Sequence, residues 1–331
     1  MRIAINGFGR IGRKAMRLAV ERGIEIVAIN SLSPADVDMH LLSFDSVHGP
    51  FKHKVEHKGH SLFIDGKEIK IAEEKDPAKL PWKEWGVDVV LECTGAFTDR
   101  EKAALHLKAG AKKVIISAPS KDADVTICMK INEQAYDPAK HDVISNASCT
   151  TNALAPLAKI LDEEFGIEKG LMTTIHSYTN DQKVLDLPHA DMRRARAAAL
   201  NMIPTSTGAA KAIGLVLPQL KGKLDGTSVR VPTPNVSLVD LSVLLKKNTT
   251  KEEINATMKK HAEGAMKGIL RYEDRPLVST DYNGDTHSSN FDSDCTMVTG
   301  GNLVKVLSWY DNESGYSARL LDLAVLVGKG L

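Results

Sequence analysis

Asn6-Gly7-Phe8-Gly9-Arg10-Ile11-Gly12 constrains the fold more than any other stretch of the 331 residues. It is a Gly-x-Gly-x-x-Gly turn that follows a short alternating run at residues 2–5 and opens an amphipathic helical run through residues 13–21. Glycines at this spacing allow a tight turn and let backbone N–H groups approach a pyrophosphate at a helix N-terminus. A second strand at residues 24–29 supplies the context that separates a dinucleotide-binding unit from a merely glycine-rich turn.

At the end of that second strand a carboxylate normally takes the ribose hydroxyls of NAD. This chain reads Asn30-Ser31-Leu32-Ser33. No acid stands there to repel a 2′-phosphate, and two serines could donate to one, so exclusion of NADP is expected to be weak. The plainer reading is that Asn30 and the backbone suffice for NAD while the serines form a turn before Pro34.

Strand and helix signals continue to alternate: a buried run at residues 87–93 ending in Thr94-Gly95, a helical run at 100–108, and a strand at 113–117 ending in Ser117-Ala118. This order predicts a parallel, doubly wound sheet through about residue 148. Thr94, Gly95, Ser117 and Ala118 then lie along the carboxyl edge, where such sheets bind ligands. Residues 51–60 read as a solvated hairpin whose histidines are too irregular for a metal site.

A second stretch carries the chemistry. In Ser145-Asn146-Ala147-Ser148-Cys149-Thr150-Thr151-Asn152 an apolar run ends and a helical run begins directly at a cysteine. A free cysteine is most often a small buried apolar residue. Here four polar neighbours crowd the sulfur, and a helix N-terminus stabilises a thiolate and a developing oxyanion. Cys149 is therefore the expected nucleophile.

Beyond it, residues 171–176 alternate as a strand ending in His176, and residues 229–232 and 236–245 also read as strands. Longer β runs with intervening helices predict a separate α+β domain with a mixed or antiparallel sheet. Between them, residues 177–201 form a long polar segment, and loops of that length are usually functional or interfacial. Its Arg193-Arg194-Ala195-Arg196 cluster suits an anion or a subunit contact, because a net charge of +1 and the lack of interleaved aromatics do not suggest a nucleic-acid binder. A final helical run covers residues 318–327.

The chain is long enough for two domains, since single cores rarely grow beyond about 250–300 residues. With 43% hydrophobic and 26% charged residues it has the composition of a globular protein. No leader-like start and no apolar run approaching about 18 residues is seen, so neither export nor a membrane span is expected. Cys93, Cys128, Cys149 and Cys295 lack paired spacing, which fits a reducing cytoplasm and no structural metal.

A dinucleotide fold, an activated thiol and a strand-end histidine together suit oxidation of an aldehyde through a thioester. An aldehyde has no hydroxyl from which hydride loss can start, and addition of the thiolate supplies one. His176 would accept the proton and could hold Cys149 as thiolate by ion pairing.

These residues resemble the phosphorylating glyceraldehyde-3-phosphate dehydrogenases of bacterial type. The likeness is carried by residues 3–13 and 145–152, and also by His176-Ser177-Tyr178-Thr179-Asn180-Asp181-Gln182, by residues 204–211, by Arg230-Val231-Pro232-Thr233-Pro234-Asn235 and by Trp309-Tyr310-Asp311-Asn312-Glu313. It runs nearly end to end. The resemblance implies oxidation of glyceraldehyde 3-phosphate to 1,3-bisphosphoglycerate, in glycolysis or gluconeogenesis, by an α/β Rossmann dinucleotide-binding domain joined to an α+β catalytic domain. It implies that Cys149 and His176 are catalytic, that Thr179 and Arg230 hold the substrate's phosphate, and that Ser148, Thr150, Thr207, Gly208 and Arg194 hold attacking inorganic phosphate. Gly7 and the run Phe8, Gly9, Arg10 and Ile11 would cradle the cofactor's pyrophosphate, Asn312 would orient its carboxamide, and Tyr316 would lie near its ring. A homotetramer is implied, with the segment after His176 meeting a neighbouring subunit. The C-terminal helix would return to the first domain, giving residues 1–147 with 312–331 in one domain and 148–311 in the other.

Two positions depart from the family pattern. Ala153 stands where the family commonly has a second cysteine, and Ser31 stands where NAD-specific members carry aspartate, although Leu187-Pro188, which disfavours a 2′-phosphate, is retained. Use of both NAD and NADP is the resulting expectation, with Lys75 assisting the 2′-phosphate. The alternatives are an erythrose-4-phosphate dehydrogenase, with water as acyl acceptor, and a non-catalytic binding role on the same fold.

Overall fold

A computed structural model describes residues 1–331. They divide into two compact units: residues 1–129, 133–147 and 317–331 form one, and residues 130–132 and 148–316 the other. The C-terminal tail joins the first unit from residue 317 rather than 312, so Asn312 and Tyr316 belong with the second.

In the first unit, β1 (Ile3–Asn6) leads through the glycine turn into α1 (Arg10–Glu21), followed by β2 (Ile26–Asn30) and α2 (Ala35–Ser43). A hairpin of β3 (Val55–Lys58) and β4 (Ser61–Ile64) precedes β5 (Lys67–Ala72), and β6 (Val89–Glu92) leads to α3 (Arg100–Ala103) and α4 (Leu105–Lys108). Strands β7 (Lys113–Ile116), β8 (Val125–Thr126) and β9 (Val143–Ser145) complete it. The nine-stranded sheet has the order β3-β4-β5-β2-β1-β6-β7-β9-β8, and the run from β5 through β9 is parallel. Every residue of β1, β2, β6 and β7 is buried, as a parallel sheet covered on both faces requires. The chain leaves β1 for β2 on one side and returns from β5 to β6 on the other, so the switch point of the sheet lies at the end of β1, where the glycine turn begins.

Two local differences from the sequence reading have simple causes. Strand β2 starts at Ile26, not residue 24, because the Ile24 N–H donates to the Ala19 carbonyl at 2.8 Å and closes the end of α1. The run at 100–108 is broken at Ala104, whose ψ of −10° tightens the turn so that the Leu107 N–H reaches the Ala104 carbonyl.

The second unit opens with α5 (Cys149–Phe165), which is followed by β10 (Ile167–Ser177), β11 (Ile203–Ser206), α6 (Ala209–Val216), β12 (Leu224–Val231) and β13 (Ser237–Leu245). Then come α7 (Lys251–Glu263), β14 (Leu270–Glu273), β15 (Ser289–Thr299) and β16 (Leu303–Tyr310). Its seven strands run β11-β12-β10-β13-β16-β15-β14, with β10/β12 and β14/β15 parallel and the other pairs antiparallel. This is the mixed sheet expected. Buried and half-buried residues alternate strictly along β13, the mark of a sheet with one face against helices. Helix α5 packs on β10, β13, β15 and β16. The last helix, α8 (Ser314–Gly328), begins where Asp311 accepts the N–H groups of Glu313 and Ser314. No helix is long and apolar enough to cross a membrane.

Candidate active site

The first unit holds a cavity of about 470 Å³ at the switch point, lined by Gly7, Phe8, Gly9, Arg13, Asn30, Ser31, Glu74, Lys75 and Thr94 among others. Its floor is set by close approach. Gly7 has φ +92°, and a Cβ there would lie 2.7 Å from the Thr94 nitrogen; a Cβ on Gly12 would lie 2.2 Å from the Gly7 carbonyl oxygen. Gly9 is different, because a Cβ there meets nothing within 4 Å. It stands at the N-cap of α1 with no side-chain cap, so the first N–H groups of α1 are open to an anion. A bare helix start beside an empty space at Gly9 fits a pyrophosphate.

Of the other residues expected here, Asn30 is a clasp. Its Nδ2 donates to Asn6 Oδ1 and the Glu74 carbonyl, and its Oδ1 accepts the Glu74 N–H. Arg10 is held by both carboxylate oxygens of Asp45, with Arg10 helping to bring that acid down to about pH 2 against its burial. Arg10, Ile11, Gly95 and Ser117 are not among the lining side chains. Ser117 instead hydrogen-bonds the Cys93 thiol, which burial pushes up to about 12. Glu92 anchors the edge from below: its carboxylate accepts from Asn6 Nδ2, Thr94 N and Thr94 Oγ1, and from Nε2 of the fully buried His106. Trp82 Nε1 donates to His106 Nδ1, which leaves the His106 proton on Nε2.

The thiol site belongs to the second unit. The chain enters it from Ala147, a non-glycine residue at φ +55°, and Ser148 caps α5 by accepting the Thr151 N–H at 2.9 Å. Cys149 is thereby the first residue of α5. His176, near the end of β10, places Nε2 3.6 Å from Cys149 Sγ. Its Nδ1 lies 2.7 Å from the Ser177 carbonyl, which can only accept, and 3.1 Å from Arg230 Nη1, which can only donate; the shorter contact puts the proton on Nδ1, so Nε2 presents a lone pair to the thiol. The Tyr310 ring meets His176 edge-on, and its hydroxyl bonds both Thr150 Oγ1 and Thr174 Oγ1.

Burial works against the thiolate and imidazolium pair expected from the sequence. Burial pushes the Cys149 thiol up, opposed by Arg230 and by hydrogen bonds from Thr150 and the backbone at the helix start. Burial and the adjacent Arg230 push His176 down to about 3. Burial thus opposes a charge on either group, and Arg230 favours the thiolate while it disfavours the imidazolium.

Arg230 donates from Nη1 to the Ser177 carbonyl and Thr179 Oγ1, while its Nε is buried with no hydrogen-bond partner. An orphaned guanidinium N–H beside Thr179 is what a bound oxyanion would satisfy. Arg194 is engaged by Asp181 at 2.7 Å and by Thr205 Oγ1. Thr207 and Gly208 lie at the start of α6, where Thr207 Oγ1 accepts the Ala209 N–H. The Ser148 and Thr150 hydroxyls are already paired, with Thr151 and Tyr310. Asn312 Oδ1 accepts from Ser237 Oγ, which leaves its amide N–H groups to act as donors. Tyr316 is buried.

Residues 1–100 match the family "Glyceraldehyde 3-phosphate dehydrogenase, NAD binding domain", and residues 148–312 match "Glyceraldehyde 3-phosphate dehydrogenase, C-terminal domain". The chain belongs to the glyceraldehyde-3-phosphate dehydrogenase family. Curated relatives include glyceraldehyde-3-phosphate dehydrogenase 1 of Bacillus subtilis, 60% identical over 99% of this chain and 98% of the relative. The glyceraldehyde-3-phosphate dehydrogenase of Geobacillus stearothermophilus is 60% identical over 100% and 99%, and that of Xanthobacter flavus 56% over 99% of both chains.

The family motifs did not reveal the residues that hold the reacting groups in place. Ser177 acts through a backbone carbonyl, and Tyr310 and Ser237 act from strands whose alternation marks them only as inward-facing. Glu74, which lines the nucleotide cavity, carried no signal distinguishing it from a solvated acid.

Proposed function

We propose that this chain catalyses the phosphorylating oxidation of glyceraldehyde 3-phosphate to 1,3-bisphosphoglycerate, with NAD as hydride acceptor. The observation that carries the reading is the pair at the start of α5, a thiol facing the free lone pair of an imidazole whose tautomer a carbonyl fixes. As Cys149 Sγ attacks the aldehyde carbon, His176 Nε2 takes the thiol proton, so ionisation accompanies attack. The first N–H groups of α5 face the developing alkoxide. NAD, when bound, would supply the hydride acceptor that lets the adduct become a thioester on Cys149. Inorganic phosphate then attacks the acyl carbon and Sγ leaves as thiolate, which the proton held by His176 returns to the resting thiol.

Gly7, Phe8, Gly9 and the start of α1 would hold the dinucleotide, and Asn312 would orient its carboxamide. Arg230 and Thr179 would hold the substrate's phosphate. Ser148, Thr150, Thr207, Gly208 and Arg194 would hold the attacking phosphate. Phosphate dependence tests the reaction: NAD reduction by glyceraldehyde 3-phosphate should require inorganic phosphate or arsenate for sustained turnover. Turnover that continues undiminished in phosphate-free buffer would identify a hydrolytic enzyme instead.

The chain is further read as a homotetramer of the cytoplasm. Val184, Leu185, Leu187, Met192, Leu200 and Met202 are all exposed within one segment, an apolar surface that a monomer rarely leaves in water. All four cysteines are free, as a reducing compartment favours. Sedimentation at micromolar concentration should give a single species of four chains, and a monomer there would reject the assembly.

A further inference from the structure

The last residues of three neighbouring strands break the apolar rule of the parallel sheet. Asn30 ends β2, Asn6 ends β1 and Glu92 ends β6, and Asn6 stands directly opposite both of the others in register. All three are buried at the carboxyl edge, and Asn6 and Asn30 line the nucleotide cavity. Their side chains are joined end to end. Asn6 Nδ2 donates to Glu92 Oε2 at 2.5 Å, and Asn6 Oδ1 accepts from Asn30 Nδ2 at 2.7 Å. At one end the Asn30 amide holds both backbone groups of Glu74, at 2.8 and 3.0 Å. At the other, Glu92 Oε1 accepts from the N–H and hydroxyl of Thr94, and Thr94 Oγ1 accepts the Ala96 N–H at 3.0 Å. Behind the row lies His106 of α4, fully buried, whose Nε2 donates to Glu92 Oε2 at 3.0 Å. Trp82 Nε1 fixes that tautomer by donating to His106 Nδ1 at 3.0 Å. The 3.3 Å approach of Asn6 Nδ2 to His106 Nε2 is then that of two donors aimed at one oxygen.

We propose that this row is a strut that sets the width of the nucleotide cavity, and that His106 is a positioning residue for the dinucleotide, acting through Glu92. The inference rests on the dinucleotide reading of the first unit. The strands do not need these side chains in order to pair, because β2, β1 and β6 are already joined along their backbones. What the strut adds is a fixed separation between two walls: Thr94 and Ala96 on one side, Glu74 and Lys75 on the other, all of them lining residues. Thr94 also bears on the glycine turn, since its nitrogen lies 2.7 Å from where a Gly7 Cβ would stand. A Thr94 that drifts therefore disturbs the floor on which the pyrophosphate rests. Walls already held at their bound separation need no ordering when the ligand arrives. His106 does not line the cavity, but it supplies one of the four hydrogen bonds that hold the Glu92 carboxylate in place. Remove that donor and a buried carboxylate oxygen is left under-paired, so Glu92 shifts toward other partners and its grip on Thr94 and Asn6 loosens.

Calorimetric titration of the full chain with NAD, paired with denaturant melts, separates this role from a purely structural one. An Asn side chain can place its oxygen where His106 has Nδ1, and a Gln side chain can place its amide nitrogen where His106 has Nε2. His106→Asn thus keeps the acceptor for Trp82 and loses the donor to Glu92, while His106→Gln does the reverse. Each loses one buried hydrogen bond, so both should be less stable than wild type. Only His106→Asn should weaken NAD binding, by about tenfold, with His106→Gln within about twofold of wild type. A His106→Asn protein that binds NAD as tightly as His106→Gln, or more tightly, would overturn the positioning role and leave a network that serves folding alone. Failure of wild type to bind NAD would instead reject the dinucleotide reading itself. If the His106 variants do not fold, Thr94 decides. Thr94→Val takes a hydroxyl donor from Glu92 and should weaken NAD by about tenfold, whereas Thr94→Ser keeps that hydroxyl and should bind as wild type does; equal affinities in this pair would overturn the strut.

Discussion

His176 combines two roles that its burial ties together. The contact with Ser177 fixes the lone pair on Nε2, and burial beside Arg230 keeps the ring uncharged, so it can receive a proton only when the thiol supplies one. The same burial makes His176 a liability in acid. On unfolding the ring regains a pKa of about 6.5, so between about 6.5 and 3 the unfolded chain binds a proton that the native chain refuses. Stability from this residue is therefore fully present above about pH 6.5 and is lost as pH falls toward 3, at up to about 1.4 kcal/mol per pH unit. His176→Asn has no proton to take up. Its melting temperature should fall less steeply than wild type's between pH 6.5 and 4.5, while turnover drops by about 10²–10⁴. Parallel pH slopes in the two proteins would show that the ring is not held neutral. The positions of Cys149 and His176 were legible in the sequence, because a helix start and a strand end follow from periodicity. Their charge state was not, because it depends on Arg230, which lies 54 residues beyond His176 and reaches it only through the parallel pairing of β10 with β12.

The glycine turn separates what a helix start needs for folding from what it needs for binding. Gly12 lets α1 pass against the Gly7 carbonyl, and a methyl there forces the helix and turn apart. Gly9 has open space where its Cβ would stand and an ordinary negative φ of −76°. Gly12→Ala should therefore destabilise the protein by about 1–3 kcal/mol, the usual cost of overpacking. Gly9→Ala should leave stability within about 1 kcal/mol of wild type yet weaken NAD binding, because the methyl enters the space that the pyrophosphate needs. Denaturant melts paired with NAD titrations separate the two, and a Gly9→Ala protein that binds NAD normally would show that the anion does not sit over this turn. At this scale most of the architecture was readable, since the strand-turn-helix order and the alternation in β13 are patterns in the chain itself. What escaped were breaks set by single backbone contacts, such as the one that closes α1 on Ile24.

At the scale of the whole chain, the first unit cannot be built from its leading segment. Residues 1–147 supply the nine-stranded sheet, but Ala318, Leu320, Leu321, Leu323, Ala324 and Val327 of α8 are fully buried in the same core as Ile3, Ile5, Met16 and Ile144. Burying the three leucines and the valine is worth about 2 kcal/mol each, or about 8 kcal/mol together. That is comparable with the entire net stability of about 5–15 kcal/mol typical of a domain. A fragment ending at residue 147 would leave this surface open and should be unfolded or aggregated, with no NAD binding. Rejoining residues 317–331 to it through a flexible linker should restore a dispersed amide spectrum and NAD affinity, because the missing core returns with only residues 130–132 of the second unit present. If residues 1–147 alone give a cooperative melt and bind NAD, the tail is an ornament on a self-sufficient sheet. If the linked fragment stays unfolded, the second unit contributes stability that the buried faces of α8 do not account for.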